Sequence, residues 1–139
     1  MNWTLGLRPI LIVLAALSAS QATAGDCYTL DDLLDTDTCL AAELKDRQKQ
    51  MADQSDEIVR RLDEGGDPES ARAFLTSQTA WEAFTVAECS FRSFGIGSGS
   101  SRALVSLGCH IGLADARIVD LDFYLRCDEG DLSCRVPRD

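Results

Sequence analysis

Six cysteines, a single histidine and a surplus of carboxylates are the side chains in this 139-residue chain with the means to do chemistry. Thiols can hold zinc, but the cysteines stand at 27, 39, 89, 109, 127 and 134 with no C-x2-C pair, and His110 offers only one imidazole. A tetrahedral site needs a closer ligand set, so no metal and no cofactor is expected. A serine or cysteine nucleophile needs a base beside it. His110 would be that base, yet it follows Cys109 off the apolar stripe described below and reads as a surface histidine. Asp35-Thr36-Asp37 opens like a calcium loop, but Cys39 and Leu40 occupy the next ligand and glycine positions. Acid pairs such as Asp31-Asp32 and Asp56-Glu57 are adjacent and solvated, and Glu88 reads as a helix-surface acid. A glycosidase-type pair needs one carboxyl in an apolar pocket. The segment 95–101 is rich in glycine and serine but lacks the Gly-Lys-Ser/Thr ending of a phosphate loop. Neither Ser98 nor Ser100 has a glycine two residues away on each side, so a nucleophile elbow is excluded as well. Turn composition accounts for the segment. No catalytic set is visible, and the chain does not read as an enzyme.

The thiols are better used as staples. Arg8 is the only charge before Asp26, and the apolar run Pro9–Leu17 leads to small residues ending in Ala22-Thr23-Ala24. This is the pattern of a cleaved export signal over residues 1–24. The run is shorter than the ~20 apolar residues a membrane span requires. Asp26 directly before Cys27 argues against a lipid anchor there. The expected product is periplasmic or secreted, with no membrane anchor, after cleavage near Ala24. In an oxidising compartment a small domain gains from disulfides. Six cysteines admit fifteen pairings, and the sequence does not choose among them. Locality favours Cys27–Cys39, Cys89–Cys109 and Cys127–Cys134.

The elements that must position these residues are helical. Leu104, Leu107, Ile111, Ala114, Ile118, Leu121 and Leu125 recur at alternating spacings of three and four, one stripe along a helix. Asp67-Pro68-Glu69 is a helix start: an acid cap, proline in the first turn, and an acid near the positive dipole end. From it Phe74, Gln78, Trp81 and Thr85 form a stripe flanked by Ala80, Phe84, Ala87, Phe91 and Phe94, and the helix should end near Gly95. Trp81, on that stripe, is expected in the core. An earlier helix over 38–64 places Leu40, Leu44, Met51, Ile58 and Leu62 on one face, with Arg47 and Ser55 interrupting it and Gly65-Gly66 ending it. A short helical turn is expected at Leu30–Leu34. No alternating strand pattern competes. The fold class is all-α: a small disulfide-stapled bundle of three main helices.

Charge narrows the partners. The chain has 13 basic and 23 acidic residues, a formal net charge of −10. Residues 26–69 hold 14 acids against Lys45, Arg47, Lys49, Arg60 and Arg61. Nucleic acid is excluded as a partner by this field, and a basic protein is favoured.

The order Cys27…Cys39, Leu75-x-x-Gln78-x-Ala80-Trp81-x-x-Phe84, Glu88-Cys89, a glycine/serine loop, Cys109, Leu113 and Arg117-x-x-x-Leu121 resembles the LprI-type lysozyme inhibitor domain, a family of small exported helical proteins. The resemblance spans residues 27–125. Thr85 and Val86 stand where family members usually carry an arginine and an acid. The implied organisation is a signal over 1–24, an LprI-like helical domain over 25–126, and a C-terminal tail over 127–139 with its own disulfide. The implied function is that of an acidic exported binding protein that inhibits a basic lysozyme-type cell-wall hydrolase. The alternative is a non-inhibitory interaction module of the envelope. Acids such as Asp53, Asp56 and Glu57 would steer a basic partner. The loop Gly95–Arg102, with Gly97, Ser98, Gly99 and Ser100 at its tip, would enter its groove, since binding residues concentrate on loops carried by rigid scaffolds.

Overall fold

A computed structural model of the chain describes residues 24–29, 31–97, 99–128 and 130–138. The expected export signal lies outside the described residues, apart from Ala24. The elements are a single turn α1 (Ala24–Cys27) and three long helices, α2 (Leu33–Glu64), α3 (Pro68–Arg92) and α4 (Ser100–Arg126). No strand occurs among the described residues.

α2 starts five residues earlier than the periodicity of its apolar face suggests. The reason is Asp32, whose carboxylate accepts from the backbone N–H of Leu34 at 2.7 Å and of Asp35 at 3.4 Å. This side-chain cap lets the helix begin before its core-facing stripe does. The separate turn expected at Leu30–Leu34 is therefore replaced by the opening of α2, Leu30 itself lying outside the described residues. At the other end Gly66 adopts φ +77°, the left-handed conformation that closes helices and that glycine takes without strain. Asp67 then caps α3 by accepting from Ser70 N–H at 3.0 Å, with Pro68 in the first turn.

The short turn makes α3 run antiparallel to α2, and the 93–99 connection makes α4 antiparallel to α3. α2 and α4 are thus parallel. Three contacts record their common direction: Arg47 to Asp115, Gln54 to the Ile118 carbonyl, and Arg61 to the Leu125 carbonyl. The core forms two clusters along this pair. One contains Cys27, Leu40 and Ile111 with Leu44, Leu104 and Leu107 packed on it. The other contains Ile58, Leu62, Ala71, Leu121 and Val136, with Met51, Phe74, Tyr124 and Leu125 against it. Each large aliphatic side chain buried this way contributes roughly 1.5–3 kcal/mol.

Covalent staples fix the ends. Cys27–Cys39 ties α1 to α2, Cys89–Cys109 ties α3 to α4 below their connection, and Cys127–Cys134 closes a small loop after α4. These are the pairs that locality favours. The tail does more than close a loop. Val136 is buried in the second core cluster, and Arg138 donates to the carbonyls of Cys127 at 3.0 Å and Arg126 at 3.1 Å, satisfying the exposed end of α4. No helix among the described residues is long and apolar enough to cross a membrane.

Candidate functional site

The two residues that interrupt the apolar face of α2 both reach across the bundle. Ser55 accepts from Gln78 Nε2 at 2.9 Å, and Gln78 Oε1 accepts from Arg117 Nε at 2.7 Å and from Arg117 Nη2. One polar chain therefore links α2, α3 and α4. Arg117 is only 8 % exposed, so the amide oxygen of Gln78 is its main compensation for lost hydration. Asp120 stands at 3.8 Å from the guanidinium. Arg47, the other interruption, lies between Glu43 at 2.5 Å and Asp115 at 2.6 Å. Glu43 is 6 % exposed. Its Oε1 is near the guanidinium without hydrogen-bond alignment, so the contact is electrostatic. The hydrogen bond to Asp115 raises the pKa of Arg47, against desolvation, and the charges of Glu43, Asp115 and Asp46 reinforce it.

Beside this polar link, with Ser55 and Gln78 in its lining, α2 and α3 leave a cavity of about 540 Å³. Leu44, Met51 and Asp56 line one wall, Leu75, Trp81, Glu82, Thr85 and Val86 the other, and His110 and Ala114 of α4 form the floor. Trp81 therefore differs from the expectation: it is half-buried in a groove wall and not part of either core cluster. The stripe Phe74, Gln78, Trp81 and Thr85 does face inward, but the space opposite Trp81 is unfilled. His110 is corrected likewise, from surface histidine to groove floor. Asp56 and Glu82 are exposed on opposite walls, and neither pairs with a cation among the described residues. The groove offers an apolar surface with a carboxylate at each side.

The expected steering acids and the expected loop are not brought together. Ser55, between Asp53 and Asp56, is bonded to Gln78. From Gln78 to the end of α3 the helix continues for about 22 Å at 1.5 Å per residue before the loop begins. Asp53 is paired with Lys49 at 2.5 Å. Glu57 is held by Arg60 and Arg61, whose hydrogen bonds, followed by their charges, lower its pKa to about 2. The loop is also shorter than expected. Ser100, Ser101 and Arg102 form the first turn of α4, leaving residues 93–99, of which Ser98 lies outside the described residues. Gly95 and Gly99 have positive φ, Gly97 is exposed, and Arg102 braces the loop by donating to the Ile96 carbonyl at 3.1 Å. Toward this end of the bundle stand the acids at the start of α2, including the exposed Asp31 and Asp35, and Glu88 near the end of α3. The first core cluster, which joins Leu40 to Leu104, Leu107 and Ile111, places the start of α2 and the loop at one end.

Glu88, expected on the surface, pairs there with Arg92 at 2.8 Å. Glu43, Arg47, Gln78 and Arg117 were not singled out as a buried polar set. Arg47 is marked by the break in α2 periodicity, and Gln78 and Arg117 by the spaced motif around Trp81 and Leu121, but nothing local joins them. Among the described residues no group of three His, Cys, Asp or Glu could hold a metal ion.

Compared with known families, the chain matches the family model described as lysozyme inhibitor LprI over residues 19–121. No curated protein and no solved structure matches it. Within the matched span lie both members of the Gln78–Arg117 link and two of the three disulfides.

Proposed function

Because the chain belongs to the LprI lysozyme inhibitor family, we propose that it is an exported inhibitor of a basic lysozyme-type cell-wall hydrolase. The observation that carries this is the family match over most of the helical domain. The acidity of the chain, a net charge of −10, supports a basic target. Opposite net charges accelerate encounter, while short-range contacts set residence time. The loop 93–99 is the blocking element of this reading: a turn braced by Arg102, with Gly97 exposed. Its glycine- and serine-rich part, 97–99, can enter a sugar-binding groove and offer backbone hydrogen bonds there. The α2 start, with Asp31 and Asp35, supplies the near field at the same end, and Asp53, Asp56 and Glu57 contribute to the far field only.

The experiment is a lysozyme turnover assay combined with association and dissociation rates at two salt concentrations. Association should slow as salt rises, since exposed charges are screened beyond about 8–10 Å at 0.1–0.15 M. Replacing Asp31 and Asp35 by asparagine should lower the on-rate, and deleting Gly97 and Ser98 should speed dissociation and abolish inhibition in a folded protein. Inhibition that survives the deletion rejects the loop. No inhibition of any lysozyme at micromolar concentration rejects the function.

The groove between α2 and α3 favours a second reading, a non-inhibitory interaction module. Its apolar walls and flanking Asp56 and Glu82 suit a protein segment carrying an apolar and a cationic side chain. Retained partner capture by the loop deletion, lost on Trp81→Ala, would select it.

A further inference from the structure

α3 carries a second apolar face that the bundle does not use. Ala80, Phe84, Ala87 and Phe91 follow the alternating spacing of four and three, and Phe94 continues it in the turn after the helix. All five are exposed, Phe84 by 52 %, Phe91 by 76 % and Phe94 by 85 %. The intervening positions on this side, Ala83 and Ser90, are also exposed and uncharged. In a chain of net charge −10 this is a neutral strip some 21 Å long, from about 1.5 Å per residue over 80–94. An exposed row of three phenylalanines is more than the scattered apolar residues a monomer shows.

We propose that this face pairs with the same face of a second copy, α3 against α3 in antiparallel sense, to form a two-fold symmetric dimer. The alternation of sizes is self-complementary. In antiparallel pairing centred between 85 and 86, Phe84 lies on Ala87 of the other copy, Phe91 on its Ala80, and Phe94 on its Ser77. Every layer then sets a large side chain on a small one, which lets helix axes approach to about 8 Å without voids. A two-fold axis makes each contact occur twice. Ser77 lines an open hollow of about 600 Å³ between α3, the end of α4 and the tail, so Phe94 meets room and not a wall.

Charge and area agree with this occupant. Two copies of net charge −10 repel wherever acids face each other, and this neutral face is where they can meet with least cost. Interface cores are depleted of charge and enriched in aromatics. At about 200 Å² per phenylalanine, the exposed fractions amount to roughly 400 Å² per copy. Two copies bring about 800 Å² before the alanines and serines are counted, close to the roughly 1,000 Å² a specific interface needs. The strip shares only Phe94 with the 93–99 loop of the inhibitory reading, and the substitutions that test it lie on α3, outside that loop.

Sedimentation equilibrium of the purified protein between about 1 and 100 µM tests the proposal. The chain should reach twice its monomer mass, and Phe91→Glu and Ala87→Glu should each weaken association at least about tenfold, with helix content unchanged by circular dichroism. Both sites are exposed in the monomer, so folding is not at stake. Monomer mass at 100 µM overturns the proposal, as does a dimer indifferent to both substitutions. Lysozyme inhibition is measured on the same variants. Retained inhibition by a monomeric Phe91→Glu separates the two interfaces as argued. Lost inhibition with unchanged mass assigns the face to the hydrolase and refutes the dimer.

Discussion

Replacing Gln78 by leucine should cost about 2–4 kcal/mol of folding stability, more than its size suggests. Gln78 Oε1 is the acceptor for two N–H groups of the buried Arg117, and its Nε2 donates to Ser55. Leucine fills similar space but removes the acceptor, leaving a buried cationic guanidinium without its main partner. Hydrogen bonds to charged groups are worth about 1.5–3 kcal/mol, and a stranded partner adds its desolvation cost. Asp120, at 3.8 Å and solvent-facing, recovers part of the loss. Arg117→Met alone strands only a neutral amide oxygen and should cost about 1–3 kcal/mol. The pair Gln78→Leu with Arg117→Met removes both partners, and buried polar pairs replaced by apolar ones are often close to neutral. The double variant should therefore be more stable than the Gln78→Leu single variant, with a coupling energy of about 1.5 kcal/mol or more. Urea denaturation of the four proteins measures this without the ionic screening that guanidinium would add. Additive losses within about 0.5 kcal/mol would refute the claim that this chain of contacts acts as a unit.

Two further outcomes follow from the same structure. Val136→Ala should cost about 1–3 kcal/mol, as expected for two buried methyl groups plus a residual cavity, because Val136 sits with Ile58, Leu62 and Leu121; an unchanged urea midpoint would mean the tail does not dock. Glu57 has its folded pKa lowered from 4.5 to about 2 by Arg60 and Arg61, so its contribution is complete above pH 4.5 and is lost as pH falls toward 2. Glu57→Gln should flatten the loss of stability across that window, leaving the smaller slopes from Asp67, lowered chiefly by the Ser70 hydroxyl, and Asp131, lowered chiefly by the Ser133 hydroxyl. An identical acid limb in the variant would contradict the assignment.

The sequence by itself determined the helices, because their signals are local. A 3.6-residue apolar period, the Asp67-Pro68 start and the Gly65-Gly66 stop act within one or two turns. The three cysteine pairs were legible for a related reason: each joins neighbours in the chain, at separations of 12, 20 and 7 residues. The family was legible because its signature residues are few and regularly spaced. The cap at Asp32 is not legible in the sequence, because Asp31 and Asp32 offer the same cue and only the backbone conformation selects one.

What only the tertiary structure decided concerns the space between elements. Periodicity fixes the angle at which Trp81 leaves α3 but not whether α2 and α4 fill the volume opposite it, and they leave a groove there. Arg47 and Ser55 looked like flaws in an apolar stripe until Asp115 and Gln78, tens of residues away in the chain, stood opposite them. Val136 has no periodic partner, so nothing local marks it as core. The two candidate binding elements, the loop and the acids Asp53, Asp56 and Glu57, lie at different heights of the bundle. A helix turns chain distance into axial distance at 1.5 Å per residue, and packing alone decides which side chains of different helices share a level.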